Sequence, residues 1–564
     1  MSLQKVNYTQ IRGGVPNVFD FGAVGDGVTD DTAAFVAALS LGGLITIPPA
    51  TYKITTVSIT GVNNLNIYAV GAIINSTQQQ AFNFVDCNNF SWQGGQIFTG
   101  TVTSTTSFPW CFVVKGTTGV NNVLIDGLSV TRNTSAAHVP CISVWQGNEA
   151  TITNCKTTNG GDNSIYVMHS TQVVVSNNTV VANQAGRSIC LQQCNVANIV
   201  GNNVSNGYGD GISIHGTSNV SVTGNSVYNM AVDTVELQTA RGIAVEWDEN
   251  ATPTTVAAAY ANPQLINNVF CRNVTISGNT IGYISQGMTI GNNIGVSGAN
   301  YGNFGVVDII GNTFFSVASG IDCGTSSQVR ISNNFISTTN TFCVQVPMQA
   351  DTGGYIANNI YITGNRFSNF NNSNTGYFVV EFINSGTFNS QRLFVITDNE
   401  WDTPNYGDGF CNLALSVYGI NSSNNRYAPG TANTVLTNQT SPFEYQPPFS
   451  DQTGANYLSS NFAVGNSYEF TQSGQVLDSF VTVFTMPTNS TVFAQIQIGS
   501  NDRLVCFGTI YASNGSTPSL TFTGTGSSYV QLSGSNIQIK GNTSGGTVTY
   551  GGIYSIKYTV LKPI

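Results

Sequence analysis

The sequence predicts an all-β protein: a right-handed parallel β-helix with a short N-terminal capping helix, followed by a C-terminal antiparallel β-sandwich-like domain. First, a unit of the form apolar-x-[Ser/Thr/Gly]-[Gly/Asn/Asp]-Asn-x-apolar recurs through the middle of the chain. Second, its spacing is about 24 residues at the start and irregular later, as expected for stacked rungs with insertions. Third, each copy alternates apolar and polar residues, which is the period of a strand. The copies are marked by Asn178, Asn202, Asn225, Asn279, Asn312, Asn334, Asn365 and Asn399, with weaker ones at Asn154 and Asn425.

The glycine and asparagine of each copy are expected at a corner of the rung, because both residues tolerate left-handed backbone angles. Asparagines at the same corner of successive rungs can also hydrogen-bond along the stack. A β-sandwich rich in Asn-Gly hairpins is the alternative, but it does not explain so long a repeat.

Composition limits the possible partners. The 564 residues include only 17 Lys and Arg against 27 Asp and Glu, a net charge of −10. Nucleic-acid binding needs a basic surface and is therefore not expected. No apolar run is long enough to insert into a membrane, and the first residues lack a signal-peptide core. A surface rich in Asn, Ser and Thr suits hydrogen bonding to sugars.

The 11 cysteines are scattered singly and show no paired metal-ligand spacing. We expect reduced, mostly buried thiols, as in a protein folded in a cytosol. Neither a metal site nor a cofactor is expected.

Residues 1–44 form the predicted N-terminal segment and capping helix. Thr29 or Asp30 is the expected N-cap. Gly42 and Gly43 end the helix, and the first strand is expected from Leu44. A helix at this place would cover the open end of the stack.

The residues Phe19-Asp-Phe-Gly-Ala-Val-Gly-Asp-Gly27, with Thr29-Asp-Asp-Thr32, resemble the opening of the pectate-lyase-like β-helix superfamily. That group includes bacteriophage tailspikes and polygalacturonase-type enzymes. The motif is structural, so Asp20, Asp26 and Asp30 are interpreted as turn and cap residues.

A second strand pattern aligns the rungs between about residues 140 and 345. Its Ile and Val positions alternate and should point inward, so the residues between them should point outward. The alignment predicts an aromatic and polar column along a groove for a long sugar chain. Its members are Trp145, Met168, Gln192, His215, Glu246, Gly291 and Gly324.

Glu246 and Asp248 are the first candidates for catalysis. If the strand stays extended, both point outward with Cα atoms about 6.6 Å apart. A pair of carboxyls separated by roughly 6.5–9.5 Å suits inverting glycoside hydrolysis. Trp247 or Trp145 could supply an apolar platform for a sugar. The alternative is that residues 246–249 are only the acidic start of a loop.

Two further carboxylates compete with this pair. Asp210 is expected between Arg187 and Arg241 on adjacent rungs, as a structural ladder or as the lining of a site. Asp322 should face outward two rungs beyond Glu246, about 12 Å away in a regular stack, so that only bending or a long substrate would pair them.

His215 is one rung from Glu246 and could bind a sugar hydroxyl. With Gln192, Arg241, Trp145 and Trp247 it forms the predicted substrate-binding set. The other two histidines are expected in rungs or loops. Asp233 and Glu236 lie in an insertion that could fold over the groove.

The remaining chain divides by character. Residues 45–430 form the predicted catalytic β-helix, and residues 431–451 are an expected linker rich in Thr, Asn and Pro. Residues 452–564 alternate apolar and small polar residues. They predict a β-sandwich that holds subunits together or binds carbohydrate.

As a whole, the chain resembles a phage tailspike. The resemblance implies a homotrimer on the virion tail, attached to the tail or baseplate through its N-terminus. Acting at the host surface, it would bind and depolymerise bacterial capsule or O-antigen. The sequence lacks the calcium-binding Asp set of pectate lyases, and only Asp210-Gly-Ile weakly matches the polygalacturonase pattern, which disfavours plant pectin.

Three functions remain open. The first is endo-acting glycoside hydrolysis with paired carboxylates. The second is a polysaccharide lyase that acts on a uronate-containing capsule through Arg241, Arg187 and His215. The third is a non-catalytic receptor-binding fibre.

Overall fold

The computed structural model describes most of the predicted β-helix. The residues described are 14–100, 110–133, 139–232, 239–246, 271–291, 306–323, 328–339, 341–348, 359–368, 379–384 and 393–401. Beyond residue 401 the structure describes the backbone of the strands that are named below.

The chain coils through three parallel walls, and each rung contributes one short strand to each wall. Strands are numbered along the chain. Wall C comprises β1 (Asp26–Asp30), β3 (Thr51–Ile54), β6 (Ile73–Ser76), β9 (Gln96–Thr99), β11 (Ser129–Arg132), β13 (Lys156–Thr158), β16 (Thr179–Val181), β19 (Asn203–Ser205), β22 (Ser226–Tyr228), β25 (Thr280–Gly282), β28 (Thr313–Val317), β31 (Phe335–Thr338), β34 (Arg366–Ser368), β37 (Glu400–Trp401) and β40 (Arg426–Tyr427).

Walls A and B share two long strands, β10 (Phe112–Asp126) and β12 (Ile142–Thr153), which run through both. Wall A otherwise comprises β4 (Val57–Thr60), β7 (Phe82–Val85), β14 (Asn163–Met168), β17 (Arg187–Gln192), β20 (Asp210–His215), β23 (Arg241–Glu246), β26 (Gln286–Ile290), β29 (Ser319–Cys323), β32 (Val344–Met348), β35 (Val380–Asn384), β38 (Cys411–Leu413) and β41 (Leu436–Thr437). Wall B otherwise comprises β2 (Gly43–Thr46), β5 (Leu65–Tyr68), β8 (Phe90–Gln93), β15 (Thr171–Ser176), β18 (Asn195–Val200), β21 (Ser218–Thr223), β24 (Arg272–Ser277), β27 (Val306–Ile310), β30 (Gln328–Ser332), β33 (Asn359–Thr363), β36 (Leu393–Thr397) and β39 (Ile420–Ser423).

The predicted parallel β-helix is therefore confirmed. Its interior is filled by the alternating apolar residues, such as Ile212, Ile214, Ile243 and Val245, which are fully buried. The sequence could predict this core because the strand period separates the two faces within each copy of the repeat.

The repeated asparagines form a buried ladder along the stack. Asn225, for example, donates from Nδ2 to Asn279 Oδ1 at 2.9 Å and to the carbonyl of Ile199 at 2.9 Å. The same contacts recur from Asn178 to Asn399. The ladder satisfies corner groups that would be costly to bury unpaired.

The predicted capping helix, α1, spans Thr32–Leu39. Its N-cap is Asp31, so the prediction of Thr29 or Asp30 was wrong. Asp30 instead accepts a hydrogen bond from the Thr32 backbone and lies in β1, a strand that the sequence interpretation missed. The Asp31 carboxylate accepts from the backbone of Val24 at 2.6 Å, so it fixes the preceding turn rather than the helix end.

Beyond the helix, β2 begins at Gly43, one residue earlier than expected.

The C-terminal segment contains two antiparallel sheets. One comprises β42 (Tyr457–Ser460), β43 (Ser467–Val476), β45 (Ser490–Ser500), β46 (Arg503–Asn514), β47 (Ser519–Thr525) and β50 (Gly552–Leu561), and the other comprises β44 (Val481–Thr485), β48 (Val530–Ser533) and β49 (Asn536–Ile539). Their packing as a sandwich and the domain boundaries stay predictions.

Nine of the cysteines lie in the described part of the chain, and all nine are buried and form no disulfide. Among the described residues, no helix has the length and apolar character needed to cross a membrane. The same residues contain no group of three or more His, Cys, Asp or Glu side chains that could hold a metal ion.

Candidate functional site

The outer face of wall A carries the predicted column. Strand pairing aligns Trp145 with Met168, Met168 with Gln192, Gln192 with His215, and His215 with Glu246. The alternation of apolar residues was sufficient to predict this register. Gly324 lies outside the described residues.

A glycine at the start of the wall A strands explains how acidic and basic residues reach the outer face. A Cβ on Gly211 would come within 2.2 Å of Val227 Cγ1, and one on Gly242 within 2.5 Å of Ile281 Cγ2. These positions therefore face the interior, although Ile212 and Ile243 beside them are also buried. The extra inward residue turns the preceding Asp210 and Arg241 outward.

Arg241 is the centre of the charged cluster on this face. Its Nε lies 2.7 Å from Asp210 Oδ1, and its Nη2 lies 2.8 Å from Asp210 Oδ2. Nη2 also lies 3.2 Å from Glu246 Oε2, and Nη1 binds the other oxygen of Glu246. One guanidinium thus joins two carboxylates on adjacent rungs.

The cluster is largely removed from water. The Asp210 side chain is 0% exposed, Arg241 12% and Glu246 16%. Burial alone would lower the pKa of Arg241, but the carboxylates of Asp210 and Glu246 raise it above its ordinary value. The guanidinium therefore stays charged.

Arg187 occupies the rung before Asp210, as the predicted ladder requires. Its Nη1 lies 3.7 Å from Asp162 Oδ1, so this arginine forms its ion pair with a carboxylate of the preceding rung. The predicted Arg–Asp–Arg ladder is present in register, and of the two arginines Arg241 is the one that hydrogen-bonds to Asp210.

Ser213 connects Asp210 to His215. Its Oγ lies 3.2 Å from Asp210 Oδ2 and 2.6 Å from His215 Nε2. Ser213 is fully buried and His215 nearly so. The orientation of His215, next to Glu246, is therefore fixed from its Nε2 side.

Asp322 lies in a second outward column, two residues earlier along the strands than Glu246. It aligns with Thr289, which aligns with Ala244 on the strand of Glu246. Gln286 Nε2 lies 3.4 Å from Asp322 Oδ2, whereas Oδ1 is shielded from solvent and has no hydrogen-bond partner among the described residues. Burial raises the pKa of Asp322 to about 6, against the opposing effects of Gln286 and Arg241.

Two residues of this second column were missed by the sequence interpretation. Asp322 aligns with Gln345, and Gln345 aligns with Glu381 on the next strand. Gln345 Nε2 donates to Glu381 Oε2 at 3.0 Å, and burial raises the pKa of Glu381. Extending the strand pattern past residue 345 would have revealed both positions.

Aromatic rings line the other end of the face. Trp110 packs edge-on against Trp145 at 5.1 Å and against Tyr166 at 6.3 Å, and His169 lies 6.4 Å from Trp145. The Tyr166 hydroxyl donates to Gln192 Oε1. Four rungs separate Trp145 from Glu246, a distance of about 19 Å. Trp110 and Tyr166 were not predicted, because neither lies in the aligned column.

Several predicted residues lie outside the described part of the chain. Trp247 and Asp248 follow the last described residue of β23, and the insertion residues Asp233 and Glu236 are not described either. His138 is also outside these ranges.

A family model described as "Rhamnogalacturonase A/epimerase, pectate lyase-like" matches residues 15–236. The resemblance to the pectate-lyase-like superfamily that residues 19–32 carry is therefore confirmed over residues 15–236. No curated protein sequence matches the chain.

Solved structures provide more distant likenesses. The catalytic unit of a thermostable GH87 α-1,3-glucanase from Streptomyces thermodiastaticus is 15% identical, with a TM-score of 0.45, and the match covers 76% of this chain and 70% of that one. The Dettilon tailspike protein is 12% identical, with a TM-score of 0.45 and 98% and 95% covered. A mutant tailspike of E. coli bacteriophage HK620, solved with a pentasaccharide, is 11% identical, with a TM-score of 0.47 and 99% and 95% covered.

Proposed function

We propose that this protein is a phage tailspike that depolymerises bacterial surface polysaccharide, either capsule or O-antigen, by endo-glycosidic hydrolysis. The reaction would take place on the outer face of wall A. The observation that supports this best is the contrast between two carboxyls beside one guanidinium. Glu246 is bound to Arg241, whereas Asp322 is desolvated and has an unpartnered oxygen.

This contrast gives the two carboxyls different roles. Asp322, whose pKa burial raises to about 6, is suited to be the general acid. Glu246, next to a permanent positive charge, is suited to be the general base. Two rungs and two residues along the strand separate them, with Cα atoms about 12 Å apart in a regular stack.

Hydrolysis by this pair involves two proton transfers. Asp322 gives its proton to the glycosidic oxygen as the bond from that oxygen to the anomeric carbon breaks. Glu246 removes a proton from a water molecule, whose oxygen bonds to the same carbon. Asp210 acts as a positioning residue, because it holds the guanidinium that orients Glu246.

Asp248 is the other candidate for the second carboxyl, since it follows Glu246 by two residues. Trp145, with Trp110 and Tyr166, would hold sugars further along the face. Gln192 and His215 lie between the aromatic end and Glu246, and Trp247 is a further proposed platform.

The proposed assembly follows from the resemblance to phage tailspikes. We expect a homotrimer on the virion tail, attached through its N-terminus, with residues 452–564 holding subunits together or binding carbohydrate. The family match over residues 15–236 supports the scaffold for this proposal.

One digestion experiment tests the reaction. Surface polysaccharides purified from a panel of bacterial strains are incubated with wild type, Glu246→Gln and the control Glu149→Gln, which changes an exposed residue of β12. New reducing ends without ultraviolet absorbance, lost only in Glu246→Gln, would support hydrolysis. Absorbance of unsaturated uronates would instead indicate a lyase, and binding without shortening would indicate a receptor-binding fibre.

A further inference from the structure

The cations of wall A are already engaged where the carboxylates cluster. Arg241 binds Asp210 and Glu246, and Arg187 pairs with Asp162. Lys115 also lies on this wall, where it aligns with Trp145. That position is five rungs from the strand of Glu246, about 24 Å away. No other Lys or Arg belongs to the wall A strands in the described ranges.

The segments that precede or follow the wall A strands in sequence and lie outside the described residues contain more acids than bases. These segments are 101–109, 134–138, 233–238, 247–270, 292–305, 324–327, 349–358, 369–378, 385–392 and 402–410. By sequence alone, Arg392 is their only Lys or Arg. They also contain Asp233, Glu236, Asp248, Glu249, Asp351, Asp402 and Asp408.

Beyond Arg241, the second column presents polar groups that lack a partner. Thr289 Oγ1 and Asp322 Oδ1 are both shielded from solvent and make no hydrogen bond within the described residues. The two residues are paired on adjacent strands, and Gln345 and Glu381 continue the column. Buried polar groups are normally hydrogen-bonded, so this pair indicates a place for a ligand group.

A hydroxyl or an acetamido N–H fits both groups. Such a group donates to the Asp322 carboxyl oxygen, and a hydroxyl can also accept from Thr289. A carboxylate only accepts, so it could bond to the Thr289 hydroxyl or to a protonated Asp322 but not to an ionised Asp322. Its negative charge would also lie close to the carboxyls of Asp322 and Glu381, and the wall A strands from Arg241 to Glu381 carry no further Lys or Arg in the described ranges.

We infer that the sugar unit bound against Thr289 and Asp322 is uncharged, with a hydroxyl or acetamido group directed at the two residues, and is not a uronate. This inference rests on the proposed function, because it names the substrate class of the same face. It predicts that the polysaccharide cleaved by this protein has a neutral or acetamido sugar at the position held by this column.

Saturation-transfer NMR with the full chain tests the inference without requiring cleavage. The probes are the methyl glycosides of N-acetylglucosamine, glucose and glucuronic acid, each offered separately. The variants are Thr289→Val, which removes the hydroxyl at nearly constant shape, and Asp322→Asn. Glu149→Gln, on the exposed surface, is the matched control.

We expect a signal from at least one uncharged glycoside, reduced severalfold in Thr289→Val and in Asp322→Asn but unchanged in Glu149→Gln. The glucuronide should give either no signal or a signal that is the same in the wild type and in these two variants. A glucuronide signal that depends on Thr289 or Asp322 would overturn the inference. So would the absence of any probe signal that depends on them.

The digestion experiment separates this inference from the proposed function. If a polysaccharide is hydrolysed and mass spectrometry places a uronate at the newly formed chain ends on both sides of the cleaved bond, hydrolysis stands and the inference fails. If no polysaccharide is cleaved but the uncharged glycosides bind as expected, hydrolysis fails and the uncharged subsite stands.

Discussion

Arg241 binds Asp210 through two hydrogen bonds, with Nε 2.7 Å from Oδ1 and Nη2 2.8 Å from Oδ2. Asp210 has no solvent-exposed side-chain surface, and this arginine is its ion-pair partner. Bidentate ion pairs of this kind combine a strong interaction with a fixed geometry. The pair therefore anchors the guanidinium that also binds Glu246.

Replacing Arg241 with Met should destabilise the protein by about 3–5 kcal/mol, because it leaves the buried Asp210 carboxyl without its ion-pair partner. Denaturant unfolding monitored by circular dichroism measures the change. The matched control is Arg330→Met, whose partner Asp308 lies 3.6 Å away in a pair with a half-exposed arginine. That substitution should cost no more than about 1 kcal/mol. Equal losses in the two variants would contradict the role of Asp210.

Replacing Glu246 with Gln should lower kcat by roughly 10²–10⁴-fold, because the general base is lost. The amide is close in shape to the carboxylate, and Arg241 keeps its two bonds to Asp210. We therefore expect binding of the polysaccharide to persist. Reducing-end assays and surface plasmon resonance on the same polysaccharide measure the two effects. Unchanged turnover would exclude Glu246 from the reaction.

The activity should depend on the protonation of Asp322. Since burial raises its pKa to about 6, the fraction of protonated general acid falls as the pH rises through that value. The rate should therefore decline on the alkaline side of about pH 6, and Asp322→Asn should be nearly inactive at every pH. A pH profile of kcat checks this, and a wild-type rate that stays constant up to pH 8 would contradict the assignment.

The raised pKa of Asp322 should also make the stability of the protein depend on pH. The pKa of Asp322 is raised in the folded state from an ordinary value of 3.8 to about 6. Between these values the unfolded chain releases the proton while the folded chain retains it, so the free energy of unfolding falls as the pH rises through this window. Asp322→Asn lacks this pH dependence, so its free energy of unfolding relative to wild type should rise by up to about 3 kcal/mol between pH 3 and pH 7. Urea unfolding at the two pH values measures the difference, and a constant difference would contradict the shift.

The asparagine ladder should respond differently from the surface asparagines. Asn225→Ala removes a buried side chain that bonds Asn279 and Ile199, and it leaves the Asn202 backbone N–H without its acceptor. A loss of about 2–4 kcal/mol is expected, because buried groups lose their partners. Asn121→Ala, on an exposed ladder with Asn88 and Asn148, should cost less than about 1 kcal/mol. Thermal unfolding of both variants compares them, and similar losses would show that burial of the ladder is unimportant.

Much of the fold could be predicted because its signals are local. The alternation Ile212-Ser213-Ile214 separates inward from outward residues within one strand, and each asparagine corner repeats the same backbone turn. The first strand was missed because residues 26–30 contain one apolar side chain, Val28, and no alternation. The N-cap was misplaced because the Asp31 side chain bonds to the preceding turn instead of to the helix.

The candidate site was predictable only as a column of positions. Glu246 and Asp322 could be placed on the outer face by register, and Glu381 was within reach of the same alignment. The pKa values of these carboxyls could not be predicted from the sequence, because a pKa depends on desolvation and on charges that come from other strands. Asp210 and Arg241 are 31 positions apart in sequence, and no local pattern indicates that one guanidinium would serve both Asp210 and Glu246.

The sequence by itself determined the β-helix, its capping helix, the asparagine ladder and the outward column from Trp145 to Glu246, because strand period and corner residues recur in every rung. Only the tertiary structure decided which carboxyl is bound and which is isolated. Stacking places Arg241 beside Asp210 and Glu246, and it buries one oxygen of Asp322 without a partner. The difference between these two carboxyls arises from contacts between rungs, which no single repeat contains.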